Sequence, residues 1–181
     1  DGLSLNVYGF KPISSECLAR YFEPTASMMS WMEGRLGVQF PYPKYWQYVG
    51  PGVGGAMENI SLTSWDQAFF GDANDHRELG WLVDIVNLHE MAHSYFGDLV
   101  VIRDFSHAWL KEGWASYMEA VWLEETQDCE AARWFMHEDR LNYLDEVHQR
   151  YARPIVTRYF DHSWRMFDRH LYQGSAWRIH M

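Results

Sequence analysis

The pentapeptide His89-Glu90-Met91-Ala92-His93 restricts this 181-residue chain more than any other stretch. Histidines four apart on a helix lie one turn above the other on one face, so their imidazoles can grip a single metal ion. Glu90 stands at the edge of that face, close enough to reach a water on the metal. The H-E-x-x-H pattern needs a helix to work, and a catalytic zinc takes three protein ligands with a fourth position open. A third ligand is therefore required. The segment Trp109–Trp114 offers Glu112, and the eighteen residues 94–111 leave room to end one helix, turn, and bring a second alongside. Gly113 and Ala115 permit the close helix approach that a buried site demands. Two imidazole nitrogens and a carboxylate oxygen form a His2Glu set suited to one zinc ion per chain.

Composition narrows the field. Hydrophobic residues make up 48% of the chain and aromatics 17%, enough for a sizeable core and against disorder. A formal net charge of −10 argues against nucleic acid or an anionic membrane as partner. Cys17 and Cys129 are the only cysteines, neither a disulfide framework nor a C-x-x-C metal pair. They read as buried or half-buried thiols in a reducing compartment, and with no targeting segment in view the expected location is cytoplasmic. No apolar run is long enough to span a bilayer. The chain opens at Asp1 without a methionine and closes at Met181 directly after a helical pattern, as expected of a piece excised from a larger protein.

Patterning predicts the order of elements. Leu3, Leu5 and Val7 alternate within Asp1–Ile13, weakly strand-like. Met28, Met29, Trp31, Met32 and Leu36 recur at helical spacing from Thr25 to Leu36, with Pro24 before the helix and Gly37 as its stop. Phe40–Lys44 is a proline-punctuated loop, Tyr45–Val49 an aromatic strand, Gly50–Gly55 a turn, and Ile60–Thr63 a further strand. Asp66–Glu78 reads as loop. Helices follow over Leu79–Phe96, Trp109–Glu125, Glu130–Arg150, and about Ser163 to Met181, with a connection at Gly97–Phe105. Strands first and helices later make the chain α+β. It reads as a single domain, 1–75 mainly strand and loop with one helix and 76–181 helical.

With His89-Glu90-x-x-His93, eighteen residues, then Glu112, the chain resembles the gluzincin aminopeptidases of the aminopeptidase N family, which includes the leukotriene epoxide hydrolase/aminopeptidase. His93-Ser94-Tyr95-Phe96-Gly97-Asp98-Leu99-Val100 and Trp109–Tyr117 match the same pattern, as does Gly55-Ala56-Met57-Glu58-Asn59, the exopeptidase signature. The resemblance implies a thermolysin-like zincin domain: a small mixed β-sheet followed by a helical subdomain, with zinc between. It implies a peptide substrate with a free amino terminus, and N- and C-terminal domains that lie outside this chain.

Site roles follow from the resemblance. Glu90 is the general base. Gly54, Gly55, Ala56, Met57, Glu58 and Asn59 bind substrate, with Glu58 taking the α-ammonium and the glycine-bearing edge strand pairing with peptide backbone. Tyr172, in Asp168-Arg169-His170-Leu171-Tyr172-Gln173-Gly174-Ser175-Ala176, corresponds to the oxyanion-stabilising tyrosine, although the family more often carries Lys-Gly-Ala after it. Tyr159 is its rival. Glu119, two turns beyond Glu112, is a candidate to orient a ligand histidine. A zinc endopeptidase, an epoxide hydrolase on the same site, and a silent domain that only binds zinc are the alternatives.

Overall fold

In the computed structural model, which describes residues 3–11 and 13–181, the aromatic run 45–49 is a strand. β2 (Lys44–Gly50) buries Tyr45, Gln47 and Val49 on one face and turns Trp46 and Tyr48 to the other. The weak alternation near the start of the chain becomes β1 (Ser4–Gly9), parallel to β2. Within that predicted stretch, Asp1, Gly2 and Pro12 lie outside the described residues. On its other side β2 pairs in parallel with β4 (Leu62–Asp66). The two-residue β3 (Ala56–Met57) runs antiparallel to β4 and closes the order β1-β2-β4-β3. The sheet is mixed, as expected, and the Gly-Gly segment leads into an edge strand.

The chain divides into two compact units, residues 1–95 and 96–181. The division follows Tyr95, so the histidine-bearing helix goes with the sheet. Parallel neighbours need a long crossover, and between β1 and β2 it is built from α1 (Ser15–Tyr21) and α2 (Thr25–Leu36). α2 ends where the sequence predicts, with Gly37 left-handed at φ 67° and its amide on the Glu33 carbonyl. α1 escaped the sequence reading. It has seven residues and buries only Leu18 and Tyr21, too few to show a period, and it is started by Ser14, whose hydroxyl accepts from the Cys17 amide at 3.1 Å. Leu18, Tyr21, Phe22, Val49, Trp65 and Val83 form one cluster of the core of this unit.

α3 spans Ala73–His93, so the loop expected over 66–78 is corrected: it holds a short 3-10 turn (Gln67–Phe69) and then the opening turns of the helix. Asp72 accepts from the amides of Asn74 and Asp75, and Asp75 returns a bond to the Asp72 amide at 2.8 Å. This reciprocal cap starts the helix among polar residues because most of its first turns face solvent. The helix ends at His93, not Phe96.

The second unit contains α4 (Trp109–Thr126), α5 (Cys129–Gln149) and α6 (Gln173–His180), each packed against the other two. Asp128 caps α5 by accepting from the Ala131 amide at 2.8 Å. Gly113 does permit a close approach, and its neighbour is α6: a Cβ there would stand 2.6 Å from the Cβ of Ser175. The last helix is shorter than predicted. Ser163–Met166 is a 3-10 turn, and residues 167–172 are irregular because Asp168, Arg169 and His170 spend their polar groups on tertiary bonds. The cysteines are both free, but Cys129 is exposed, against the expectation of burial, and Cys17 is half-buried. Among the described residues no helix is long and apolar enough to cross a membrane.

Candidate active site

In the first unit the metal-ligand candidates occupy the last two turns of α3. His93 and Glu90 are buried and His89 is half-buried. The Nε2 atoms of His89 and His93 stand 3.1 Å apart, with the rings nearly perpendicular at 82°. Two such nitrogens at this distance require either that one ring donate to the other or that both lone pairs face a common cation. Two zinc–nitrogen bonds of about 2.0–2.1 Å in a tetrahedral site set the nitrogens about 3.3 Å apart. The pair fits zinc.

A chain of buried polar groups sets the rotation of α3. The Trp65 indole, which can only donate, gives its hydrogen to Gln47 Oε1 at 2.7 Å. The amide nitrogen of Gln47 then donates to Asn87 Oδ1 at 3.0 Å, and that of Asn87 to the Thr25 hydroxyl at 2.8 Å. All four residues are buried. Asn87 lies two positions before His89, roughly opposite on the helix, so anchoring it to the sheet turns the histidines the other way. The sequence signal is a polar residue inside each of two apolar runs, Gln47 and Asn87, and neither is among the residues expected at the site.

The Gly54–Asn59 segment packs beside the same helix, since β3 contacts α3. Gly54 and Gly55 have φ of 74° and 140°, values that disfavour side chains. Their path is pinned to the end of β4: the Gly54 amide donates to the Asp66 carboxylate at 3.0 Å, and the Asp66 amide to the Gly55 carbonyl at 2.7 Å. Backbone amides, Gly54 first and Ala68 next, hold the Asp66 carboxyl below its ordinary range. Ala56 and Met57 pair with Trp65 and Ser64, which leaves β3 outermost in the sheet. Glu58 is half-buried just beyond β3. The Asn59 side chain donates to Ser64 Oγ at 2.9 Å and to the Met57 carbonyl at 3.4 Å, so it shapes the turn between β3 and β4.

In the second unit Glu112 sits in the first turn of α4 with 2% of its surface exposed. An acidic side chain is favoured at that end of a helix. The Lys111 ammonium lies 2.7 Å from its carboxylate. Tyr172 is half-buried at the start of α6, near the Phe167 ring at 6.4 Å. Its rival Tyr159 is 94% exposed, an environment in which a phenol donates mainly to solvent. Glu119 is half-buried and faces Asp139, whose carboxyl is pushed up to about 7 by burial and then by the Glu119 charge.

A second group of polar residues stands outside the expected site residues. Ligand atoms of Glu146, Asp168 and His170 lie within 4.8 Å of one another. Arg150, Arg153 and Tyr151 already bond this trio, so it is a hydrogen-bonded network and not a vacant ligand set. No local pattern announces it, because its members come from α5 and from the irregular chain on either side of residue 160.

Residues 20–181 match the family model described as the peptidase family M1 domain. The chain is 31% identical to aminopeptidase Ey of Gallus gallus over 129 residues, 69% of this chain and 13% of that protein. It is 31% identical to aminopeptidase N of Lactobacillus helveticus over 122 residues, 66% of this chain and 14% of the relative. Endoplasmic reticulum aminopeptidase 1 of Homo sapiens is 28% identical over 170 residues, 88% of this chain and 17% of its own length. The chain thus spans less than a fifth of these relatives. The crystal structure of an M1 zinc metallopeptidase mutant from Deinococcus radiodurans has the same fold, with a TM-score of 0.58 and 21% identity over 93% of this chain and 32% of the other.

Proposed function

Because this chain belongs to peptidase family M1, we propose that it is the catalytic domain of a zinc-dependent aminopeptidase that cleaves the first peptide bond of peptides with a free amino terminus. The observation that carries the reading is the 3.1 Å approach of the His89 and His93 imidazoles beside buried Glu90 at the end of α3. His89, His93 and Glu112 are the proposed ligands of one zinc ion. Bound there, zinc would supply Lewis acidity, lowering the pKa of water and polarising the scissile carbonyl.

The chain's own groups do the rest. Glu90 takes the proton of the attacking water and later gives it to the leaving amine. Tyr172 aims its phenolic hydrogen at the oxyanion; a phenol remains protonated near neutral pH. Glu58 accepts charge-assisted bonds from the substrate's α-ammonium. The open side of β3, with Gly54 and Gly55 before it, pairs with the substrate backbone by strand addition. With Glu58 holding the α-ammonium, this arrangement admits one residue ahead of the cleaved bond, since an internal peptide bond brings no cation to Glu58. Further domains of a longer aminopeptidase are proposed to complete the specificity pocket.

The test pairs metal content with turnover. Elemental analysis should find about one zinc per chain, the ligand count of a single catalytic site. Hydrolysis of an aminoacyl chromogenic amide should stop on chelation and return with zinc, and the N-acetylated substrate should be refused. Equal rates on free and acetylated substrates would replace the exopeptidase reading with an endopeptidase. A chain that takes up no zinc on reconstitution would end the metallopeptidase reading.

A further inference from the structure

We infer that Asp168, gripped by Arg153, is a positioning residue that holds the Tyr172 phenol in place, an inference that rests on Tyr172 being the oxyanion donor. Tyr172 stands at the very start of α6, where its carbonyl accepts from the Ser175 and Ala176 amides at 3.2 Å and 2.9 Å. It has φ −88° and ψ −83° and makes no side-chain cap bond. Its amide is held by the Asp168 carbonyl at 3.3 Å, and the neighbouring Leu171 amide by the same carbonyl at 3.1 Å and by Asp168 Oδ1 at 2.9 Å. The turn ahead of the phenol is thus wound around one aspartate.

Asp168 itself cannot shift. Arg153 meets it as a fork, Nη2 to Oδ1 at 2.6 Å and Nε to Oδ2 at 2.7 Å, and the Tyr151 hydroxyl adds a bond to Oδ2 at 2.8 Å. Arg153 spends its other three N–H groups on the Met166 carbonyl, the Pro154 carbonyl and the Thr157 hydroxyl. Burial alone would raise the Asp168 carboxyl, but the Arg153 and Tyr151 bonds hold it below its ordinary range, so it stays a carboxylate. A second clamp acts one residue from Leu171. The Arg153 amide donates to His170 Nε2 at 3.2 Å, which fixes the tautomer, and Nδ1–H donates to Glu146 on α5 at 3.1 Å. His170 is stacked flat on Tyr151 at an interplanar angle of 3°.

Such a network exceeds what a surface turn needs. Only six residues separate Met166 from Gln173, yet they are tied both to α5 and to the segment 150–157. A donor to a developing charge requires this: displacement of a catalytic group by about 1 Å costs on the order of a hundredfold in rate. Arginine is needed, because lysine offers a single point of contact where the carboxylate is held at both oxygens.

The experiment is a double-mutant cycle in the zinc-loaded protein. Asp168→Asn should lower kcat by roughly tenfold to a hundredfold, with KM changed less than about twofold and zinc content unchanged. Placed in a Tyr172→Phe background, Asp168→Asn should produce no further fall in kcat, because the group it positions is gone. In metal-free protein, 3-fluorotyrosine at position 172 should give one fluorine resonance that broadens or splits with Asp168→Asn. Should Asp168→Asn fail to fold, Tyr151→Phe removes one bond to Oδ2 and takes its place in the cycle. Additive losses, or an unchanged kcat and fluorine line, would overturn the positioning role while leaving Tyr172 intact. An unchanged kcat in Tyr172→Phe alone would overturn the oxyanion reading itself.

Discussion

Gly113→Ala adds one methyl group at the crossing of α4 and α6, beside the proposed ligand Glu112. The new Cβ would lie 2.6 Å from the Ser175 Cβ and 3.3 Å from the Ile179 Cδ1. Carbon atoms in contact prefer about 3.5–4.0 Å, so roughly 1 Å must be found. The Ile179 methyl can swing aside. The Ser175 Cβ cannot, because it is one bond from the backbone and its hydroxyl is held by the His170 carbonyl at 3.0 Å. α6 must therefore move as a body, at a cost of about 2–3 kcal/mol for overpacking. Alanine returns about 1 kcal/mol of helix propensity, which leaves a net loss of about 1–2 kcal/mol. For a chain of this length that lowers Tm by roughly 2–8 °C, read by circular dichroism. Ser175→Gly removes the clashing atom, so Ser175→Gly/Gly113→Ala should melt above Gly113→Ala when each is compared with its own glycine-113 parent. A Gly113→Ala protein that melts higher than wild type would show that propensity alone governs the position and that the helices have room to spare.

Glu90→Gln keeps the shape of the side chain but not its proton affinity, so zinc content should be unchanged while kcat falls by about 100-fold or more; retained turnover measured on the same sample would remove Glu90 as the base. Asn87→Leu strands the buried Gln47 amide donor, a loss of about 1–3 kcal/mol, and the urea midpoint should drop accordingly. An unchanged midpoint would mean that the Trp65–Gln47–Asn87–Thr25 chain carries no stability. Burial, and then the Glu119 charge, push the Asp139 carboxyl up from its ordinary 3.8 to about 7. The folded state therefore keeps a proton that the unfolded chain surrenders, and stability should decline as pH rises from about 4 to about 7. Asp139→Asn should flatten that decline in denaturation series at pH 5 and pH 7.5, and an equally steep wild-type and variant slope would contradict the assignment.

What could be read from the sequence was whatever is local. Two histidines four apart need only a helix to bring them together, and their 3.1 Å approach repeats the spacing of the letters. The same holds for α2, whose apolar period runs straight to Gly37, and for α5, which begins at Cys129 beside the predicted Glu130. α1 was invisible because seven residues with two buried positions carry no period. The opening of α3 was hidden for the opposite reason, since its first turns are polar by exposure and its start depends on a reciprocal bond between Asp72 and Asp75. The networks lie beyond any reading of neighbours. Gln47 and Asn87 are forty residues apart, and Arg153 and Asp168 fifteen. In each case a side chain's partner is chosen by the fold, and the polar letter alone looks like a solvated residue.

That α3 stops at His93 has a consequence for the charge of the site. Peptide dipoles add along a helix to about half a negative charge at its carboxyl end, and α3 is 21 residues long with both histidines in its final two turns. A cation held by them sits against that end. The carbonyls of the last turn would supply part of its counter-charge. Part of what would neutralise such an ion therefore belongs to the direction of the main chain, and no side-chain replacement can take it away.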